Sequence, residues 1–180
     1  MIIGIDPSIN CTGVCVWDGE DNNIYYMVIG KSTKRMEAFQ SEYIYIKNYN
    51  KIQPEGDYSN KEYIKTNNIY KICNELKNIL LKHKPEMVIM EGISYGSVGS
   101  AALVDLAGLN FMIRYMMESI GIPYKIVPPT SVKKSAVANG QADKYIMIDA
   151  WKRLDRNIYN INEIKLDDLA DSYFLAHYQE

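Results

Sequence analysis

The stretch Met1-Ile-Ile-Gly-Ile-Asp6-Pro-Ser-Ile-Asn10-Cys-Thr-Gly13-Val-Cys-Val-Trp17 decides the fold of this 180-residue chain. A run of isoleucines ends on Asp6 and Pro7, and a second apolar run follows Gly13, which is the pattern of strand, tight turn and strand. We expect Pro7, Ser8 and Gly13 to shape the turn. Turn chemistry does not explain a carboxylate at the end of an isoleucine run. Asp6 is therefore either a solvated turn residue or the first ligand of a site, and the case for a site depends on finding its partners.

The composition is that of an ordinary globular protein, with 47% hydrophobic and 23% charged residues. We therefore expect a single domain spanning 1–180. No run approaches the roughly 18 consecutive apolar residues of a membrane span, and the N-terminus does not resemble a signal peptide. Three cysteines without a C-x-x-C pair argue against a disulfide framework and against a thiolate metal site. These features predict a soluble cytoplasmic protein in a reducing compartment, with no membrane partner.

The overall charge neither identifies nor excludes nucleic acid as a partner. A formal net charge of -2 argues mildly against it, because nucleic-acid-binding domains are commonly basic. Divalent ions bound to a group of carboxylates would cancel their negative charge, however. The positions of the lysines would then decide whether a phosphate backbone can bind.

Hydrophobic periodicity predicts an α/β fold. The opening hairpin and a strand at 24–29 form an antiparallel meander, and the polar, tyrosine-rich segment 31–60 is predicted to be an irregular or hairpin insertion. Further along, two short apolar runs at 86–90 and 123–127 have the pattern of buried parallel strands. Helices are predicted over 61–83, 101–120, 131–138, 143–153 and 166–178, with Thr130 as the N-cap of the third. The result is a mixed five-stranded sheet flanked by helices.

Three further acids accompany Asp6. Glu91 ends a buried strand as Asp6 does, and Asp168 and Asp171 lie at i and i+3 on one helix face, where like charges repel unless a cation compensates them. Carboxylates are the ligands that Mg2+ prefers, and two such ions activate water and stabilise the leaving oxygen in phosphodiester cleavage. For any one acid a solvated surface position is the simpler alternative. Four acids at these positions favour a metal site.

The same motifs resemble the RuvC family of Holliday junction resolvases. The resemblance is carried by Gly4-Ile-Asp6-Pro-Ser8 with Thr12-Gly13, by Val88-Ile-Met-Glu91 and by Asp168-x-x-Asp171 before an apolar helix. Thr130-Ser-Val-Lys133-Lys134 followed by Gly140-Gln-Ala-Asp-Lys144 is similar to the lysine-bearing segment of that family. The resemblance covers nearly the whole chain except 31–60. That extra segment, the short chain and the acidic balance favour a phage or mobile-element member.

This resemblance implies an RNase H-like fold, a homodimer, and Mg2+-dependent paired nicking of four-way DNA junctions. Two ions per site are implied, and Mn2+ can substitute for Mg2+. The implied metal-binding acids are Asp6, Glu91, Asp168 and Asp171. The resemblance places Lys133 and Lys144 near the scissile phosphate, with Lys134 as the substitute if the register differs by one. It also implies an aromatic residue against the junction bases, for which Tyr95 is the nearest candidate.

Other functions stay open on the sequence. The same fold could cut other branched DNA, such as flaps or replication forks, because acids serve the reaction and not the shape of the DNA. A nucleotide-binding protein of the actin and sugar-kinase type also has a strand ending in Asp, but this chain is short for two lobes. A non-catalytic DNA-binding scaffold is the third alternative. The helix over 101–120 is apolar on more than one face, and we expect part of it to form a subunit contact.

Overall fold

The structure is a computed structural model that describes residues 1–20, 22–37, 40–93, 100–158 and 166–179. The strands are β1 Ile2–Asp6, β2 Cys11–Trp17, β3 Asn23–Ile29, β4 Ile44–Asn48, β5 Met87–Glu91 and β6 Tyr124–Val127. The helices are α1 Lys34–Glu37, α2 Tyr58–His83, α3 Ser100–Ser119, α4 Pro129–Val137, α5 Lys144–Leu154 and α6 Asp167–Ala176. No helix in these ranges is long and apolar enough to cross a membrane.

The described residues form one mixed sheet of six strands in the order β4-β3-β2-β1-β5-β6. β1, β2 and β3 form the antiparallel meander, and β5 and β6 continue the sheet parallel to β1. The predicted α/β class and its antiparallel and parallel halves are confirmed. The predicted number of five strands is wrong, because Ile44–Asn48 in the segment 31–60 pairs parallel to β3 at the sheet edge. A parallel partner is distant in sequence, so alternation within the segment could not reveal it.

Helices cover both faces of this sheet. One face buries Ile3 and Ile5 of β1 against α2 and α3, with Leu76 among the residues they contact. The other face packs against α4, α5 and α6. Because successive side chains in a strand point to opposite faces, Gly4 and Asp6 lie on the face that α6 covers.

α6 lies directly on the backbones of β1 and β2 because two strand positions carry no side chain. A Cβ atom on Gly4 would lie 2.1 Å from the carbonyl oxygen of Ser172, and one on Gly13 would lie 2.0 Å from that of Asp168. Neither glycine has a positive φ angle, so space and not backbone freedom requires them. The prediction that Gly13 shapes the turn is therefore wrong. Gly13 pairs with Asp6 inside the sheet and admits the last helix.

The starts of two helices place the lysine-bearing segment. α4 begins at Pro129, earlier than the predicted 131–138, because proline tolerates the first helical position, and Thr130 lies inside the helix and is not its N-cap. α5 begins at Lys144 because the Asp143 carboxylate accepts hydrogen bonds from the backbone amides of Tyr145 and Ile146, at 2.9 and 3.0 Å. This cap fixes Lys144 at a defined helix end.

Candidate metal centre

Four carboxyl groups named from the sequence lie together at one edge of the sheet. β1 and β5 are parallel neighbours in register, so Asp6 and Glu91 end side by side at this edge. α6 packs across β1, β2 and β5 and carries Asp168 and Asp171 in its first half. The first strand, the middle of the chain and the last helix thus contribute to one cluster.

Burial raises the pKa of all four carboxyl groups, and repulsion from neighbouring acids adds to it. Loss of hydration is the largest cause for each, and for Asp6, which is only 8% exposed, the charges of the other three acids come next. The pKa values of Glu91 and Asp168 rise to about 7 and that of Asp171 to about 6. The Asp6 and Glu91 side chains share a hydrogen bond. The cluster therefore retains protons near neutral pH, where isolated carboxyls are ionised.

The chemistry of this donor set fits a hard divalent cation. All four side chains offer oxygen, and binding a cation would relieve the repulsion that otherwise holds protons in the cluster. Across the described ranges no three His, Cys, Asp or Glu side chains already stand in metal-holding geometry.

Lys133 of α4 lies beside the cluster. Its positive charge lowers the pKa of Glu91 and of Asp171, against the larger upward effect of burial. Lys134, the next residue, is exposed, and no electrostatic effect of Lys134 on the four acids is seen within the part of the chain that the structure describes. Of the two neighbouring lysines, Lys133 is therefore the one at the acids.

Asp168 has two further neighbours that favour its ionised form. The Cys11 thiol makes a hydrogen bond to the carboxylate, and the positive charge of Lys144 acts in the same direction. Burial raises the pKa of Cys11, as does the charge of Asp168, so the thiol stays protonated and can donate. Sequence reasoning did not give Cys11 a place in the site. The available signal was its position two residues before Gly13, hence on the same face of β2.

Two buried residues hold the backbone next to the strand-end acids. The hydroxyl of Thr12 donates to the carbonyl oxygen of Ser8 at 2.7 Å and accepts from its amide at 3.1 Å, which closes the turn after Asp6. The side-chain amide of Asn110 in α3 donates to the carbonyl oxygen of Glu91 at 3.0 Å. Asn110 is 1% exposed, and its Oδ1 has no partner among the described residues. The sequence signal for Asn110 was a side-chain amide within an otherwise apolar part of a helix.

Tyr95, the predicted aromatic residue near the second acid, lies outside the described residues. Two cavities lined by described residues lie away from the four acids. One of about 580 Å3 lies at the opposite edge of the sheet and is lined by Trp17, Asp155 and His177 among others. None of the four acids lines this cavity.

The mixed sheet, its two helical layers and the acids at the ends of β1 and β5 define the class as an RNase H-like α/β fold. No protein-family model matches the chain. A part of 109 residues, 60% of the chain, is 28% identical to the crossover junction endodeoxyribonuclease RuvC of Syntrophomonas wolfei. The match spans 60% of the length of that relative.

Solved structures give the same fold. Thermus thermophilus RuvC in complex with a Holliday junction substrate superposes with a TM-score of 0.60 at 18% identity, over 97% of this chain and 89% of that one. The yeast mitochondrial Holliday junction resolvase Ydc2 superposes with a TM-score of 0.57 at 17% identity, over 97% of this chain and 75% of that one. The chain is RuvC-like in sequence and in fold, which confirms the predicted resemblance.

Proposed function

We propose that this protein is a metal-dependent DNA endonuclease that resolves four-way junctions by paired phosphodiester hydrolysis. The observation that carries the proposal is the cluster of four buried or partly buried carboxyls with raised pKa values, flanked by Lys133 and Lys144. Burying like charges together is unfavourable without a cation. The RuvC-like sequence and fold support four-way DNA as the substrate class.

Mg2+ is the cofactor we propose, with two ions per site and Mn2+ as a substitute. The residues that would hold it are Asp6, Glu91, Asp168 and Asp171. When bound, the ions supply an activated water and charge stabilisation for the departing oxygen. The chain itself orients these groups. The strand ends fix Asp6 and Glu91, and the Cys11 thiol forms a hydrogen bond with Asp168. The helix cap formed by Asp143 fixes the position of Lys144. No side chain is required as a nucleophile.

The lysines are proposed to position the DNA backbone. An ammonium group binds a phosphate oxygen without reading the base, so Lys133 and Lys144 would place the phosphates that flank the cut. Lys134 is exposed one position further along α4 and would extend the same contact. A base contact by Tyr95 remains part of the proposal.

A homodimer is part of the proposal, and the need for two cuts and the surface of α3 support it. Resolution needs two cuts, and a twofold dimer supplies two equivalent sites. Val104, Phe111 and Tyr115 are 68%, 60% and 70% exposed, and their spacing places them on one helix face. A contiguous exposed apolar face of this kind is typical of a subunit contact. The three free cysteines agree with the reducing cytoplasm that we propose as the location.

The test compares an immobile four-way junction with a flap and a linear duplex of the same sequence, with Mg2+ or with EDTA. We expect paired nicks in the junction only with Mg2+. Asp6→Asn should bind the junction but lose at least about 100-fold in cleavage rate, since a carboxylate ligand is removed. Asp167→Asn is the matched control, because it removes a neighbouring acid that is not among the four.

Three results would argue against the proposal. If wild type and Asp6→Asn both bind junctions and neither cuts, the protein is a scaffold. If flaps are cut as fast as junctions, the substrate class is broader branched DNA. Specific ATP binding with no cleavage would favour the nucleotide-binding alternative.

A further inference from the structure

The strand β4 brings the segment 31–60 to the same edge of the sheet as the metal centre. β1, β3, β4 and β5 run in one direction, so their C-terminal ends all meet at this edge. β4 lies three strand positions from β1. At about 4.8 Å between neighbouring strands, this separation is about 14 Å. Residues 49–52, which we call the β4 loop, therefore lie beside the cluster on the side away from β6.

The β4 loop is bonded to the turn that follows Asp6. The ammonium group of Lys51 donates to Oδ1 of Asn10 at 2.8 Å, and the hydroxyl of Tyr49 donates to the carbonyl oxygen of Ile9 at 2.7 Å. The backbone amide of Lys51 also donates to the carbonyl oxygen of Gly30 at 2.7 Å. These contacts hold Lys51 in a fixed position relative to the acids.

α2 fixes the loop from its other side. Asn68, which is 3% exposed, forms two hydrogen bonds with the backbone of Ile52, at 3.0 and 2.7 Å. The ammonium group of Lys71 donates to the carbonyl oxygen of Asn50 at 3.1 Å. Asn50 itself adopts a left-handed conformation with a φ angle of 54°. The loop and α2 therefore present one lysine each, Lys51 and Lys71, from a scaffold tied to the sheet.

Neither lysine is neutralised. Lys51 and Lys71 donate to uncharged oxygens, and in the part of the chain that the structure describes neither forms an ion pair with a carboxylate. An ammonium group has three donors, so each retains capacity for a phosphate oxygen. Lys133, by contrast, lies on the helix that follows β6, on the opposite flank of the metal centre.

We infer that the β4 loop, together with Lys71, is a second DNA-backbone site, which binds phosphates of the duplex arm on the flank opposite Lys133. About 14 Å along the duplex corresponds to about four base pairs at 3.4 Å each. The inference rests on the proposed function. It gives the segment 31–60 a task that the metal chemistry does not require, which is to lengthen the DNA-binding edge.

The experiment measures junction affinity across a salt series, with every variant built on Asp6→Asn so that nothing is cut. Lys51→Gln combined with Lys71→Gln removes two charges but keeps polar side chains. Each lost phosphate contact lowers the slope of log affinity against log salt by about 0.9. The ratio of the parent chain's junction affinity to that of the double variant should therefore fall about twelvefold between about 50 and 200 mM salt.

Two matched variants separate charge from structure. Lys77→Gln makes the same change on an exposed position of α2, six residues or about 9 Å further along the helix, and should leave the slope unchanged. Asn10→Ala removes the partner of Lys51 but keeps its charge, and should also leave the slope unchanged. If Asn10→Ala lowers the slope as much as the double variant does, the hydrogen bond of Lys51 to Asn10 has a structural role and the inference is overturned. An unchanged slope in the double variant overturns it directly.

A substitution on the DNA covers the case in which the double variant does not fold. A neutral methylphosphonate at about the fourth phosphate from the cut should lower the slope of the parent chain by about 0.9, and no change there overturns the inference. The proposed function is tested separately by Mg2+-dependent cutting with Asp6 intact. If the wild type cuts but the double variant has an unchanged salt slope, only the second backbone site is refuted. If the double variant has a lowered salt slope but the wild type does not cut, only the proposed nuclease activity is refuted.

Discussion

Gly13→Ala should displace Asp168, one of the proposed metal-binding acids, while leaving the proposed DNA-binding lysines in place. The new Cβ would lie 2.0 Å from the carbonyl oxygen of Asp168, and side-chain carbons do not approach closer than 3.0 Å. The first turn of α6 must therefore move by about 1 Å. Overpacking of this kind costs about 1–3 kcal/mol, and misplacing a reacting group by about 1 Å costs about 100-fold in rate. Both effects originate at one added methyl group.

The measurement is single-turnover cleavage of a four-way junction at saturating protein with Mg2+, beside junction affinity and a thermal melt. We expect about 100-fold slower cleavage, affinity within about twofold of wild type because the lysines are untouched, and a melting temperature lowered by a few degrees. Gly108→Ala in α3 is the matched control. Its Cβ would meet the Cδ1 atom of Ile69 at 3.5 Å, an ordinary contact, so the rate should not change and helix propensity should add up to about 1 kcal/mol.

Wild-type cleavage by Gly13→Ala would refute this reasoning. It would show that α6 can shift without moving its carboxylates, so that the absence of a side chain at Gly13 serves packing alone. A protein that melts much earlier and also loses junction affinity would indicate global damage. That outcome would contradict the expectation that the effect is confined to the first turn of α6.

Three further predictions concern the cluster and the surface. In EDTA the free energy of unfolding should fall by about 2–4 kcal/mol as pH rises from about 5 to 8. The reason is that the raised pKa of Glu91, about 7, makes the folded state bind more protons than the unfolded state. Thermal melts at a series of pH values check this, and added Mg2+ should make the stability less dependent on pH. Asp168→Asn should raise the melting temperature in EDTA at pH 8, since it removes a buried charge, while abolishing cleavage. Phe111→Glu should convert dimer to monomer in light scattering, whereas Lys77→Gln should not.

The part of the site that could be predicted from sequence is the part encoded in local patterns. An acid at the end of an apolar run marks a strand end, and two acids at i and i+3 share a helix face. Asp6, Glu91, Asp168 and Asp171 were named in this way, and the structure brings them to one edge. Lys133 was named through its resemblance to a family segment, and the structure places it beside two of the acids.

What could not be predicted depends on contacts between distant parts of the chain. β4 pairs with β3 in parallel, and nothing in its own alternation specifies that partner. Gly13 follows a turn in sequence, but its function is set by a helix near the other end of the chain. Asn110 and Cys11 are polar or weakly polar residues in apolar surroundings, and only the fold shows that each faces an acid or its backbone.

The close fit of α6 against Gly4 and Gly13 has a consequence for the timing of activity during synthesis. Ribosomes add about 5–20 residues per second and domains form as their segments emerge, so β1 to β3 can pair while α6 is still untranslated. Until then the cluster holds only Asp6 and Glu91, half of its ligands. A nascent or prematurely terminated chain would therefore carry the lysines that we propose to bind DNA without all four of the proposed metal-binding acids. The proposed cleavage activity would then begin only after α6 has been translated and packed against β1 and β2.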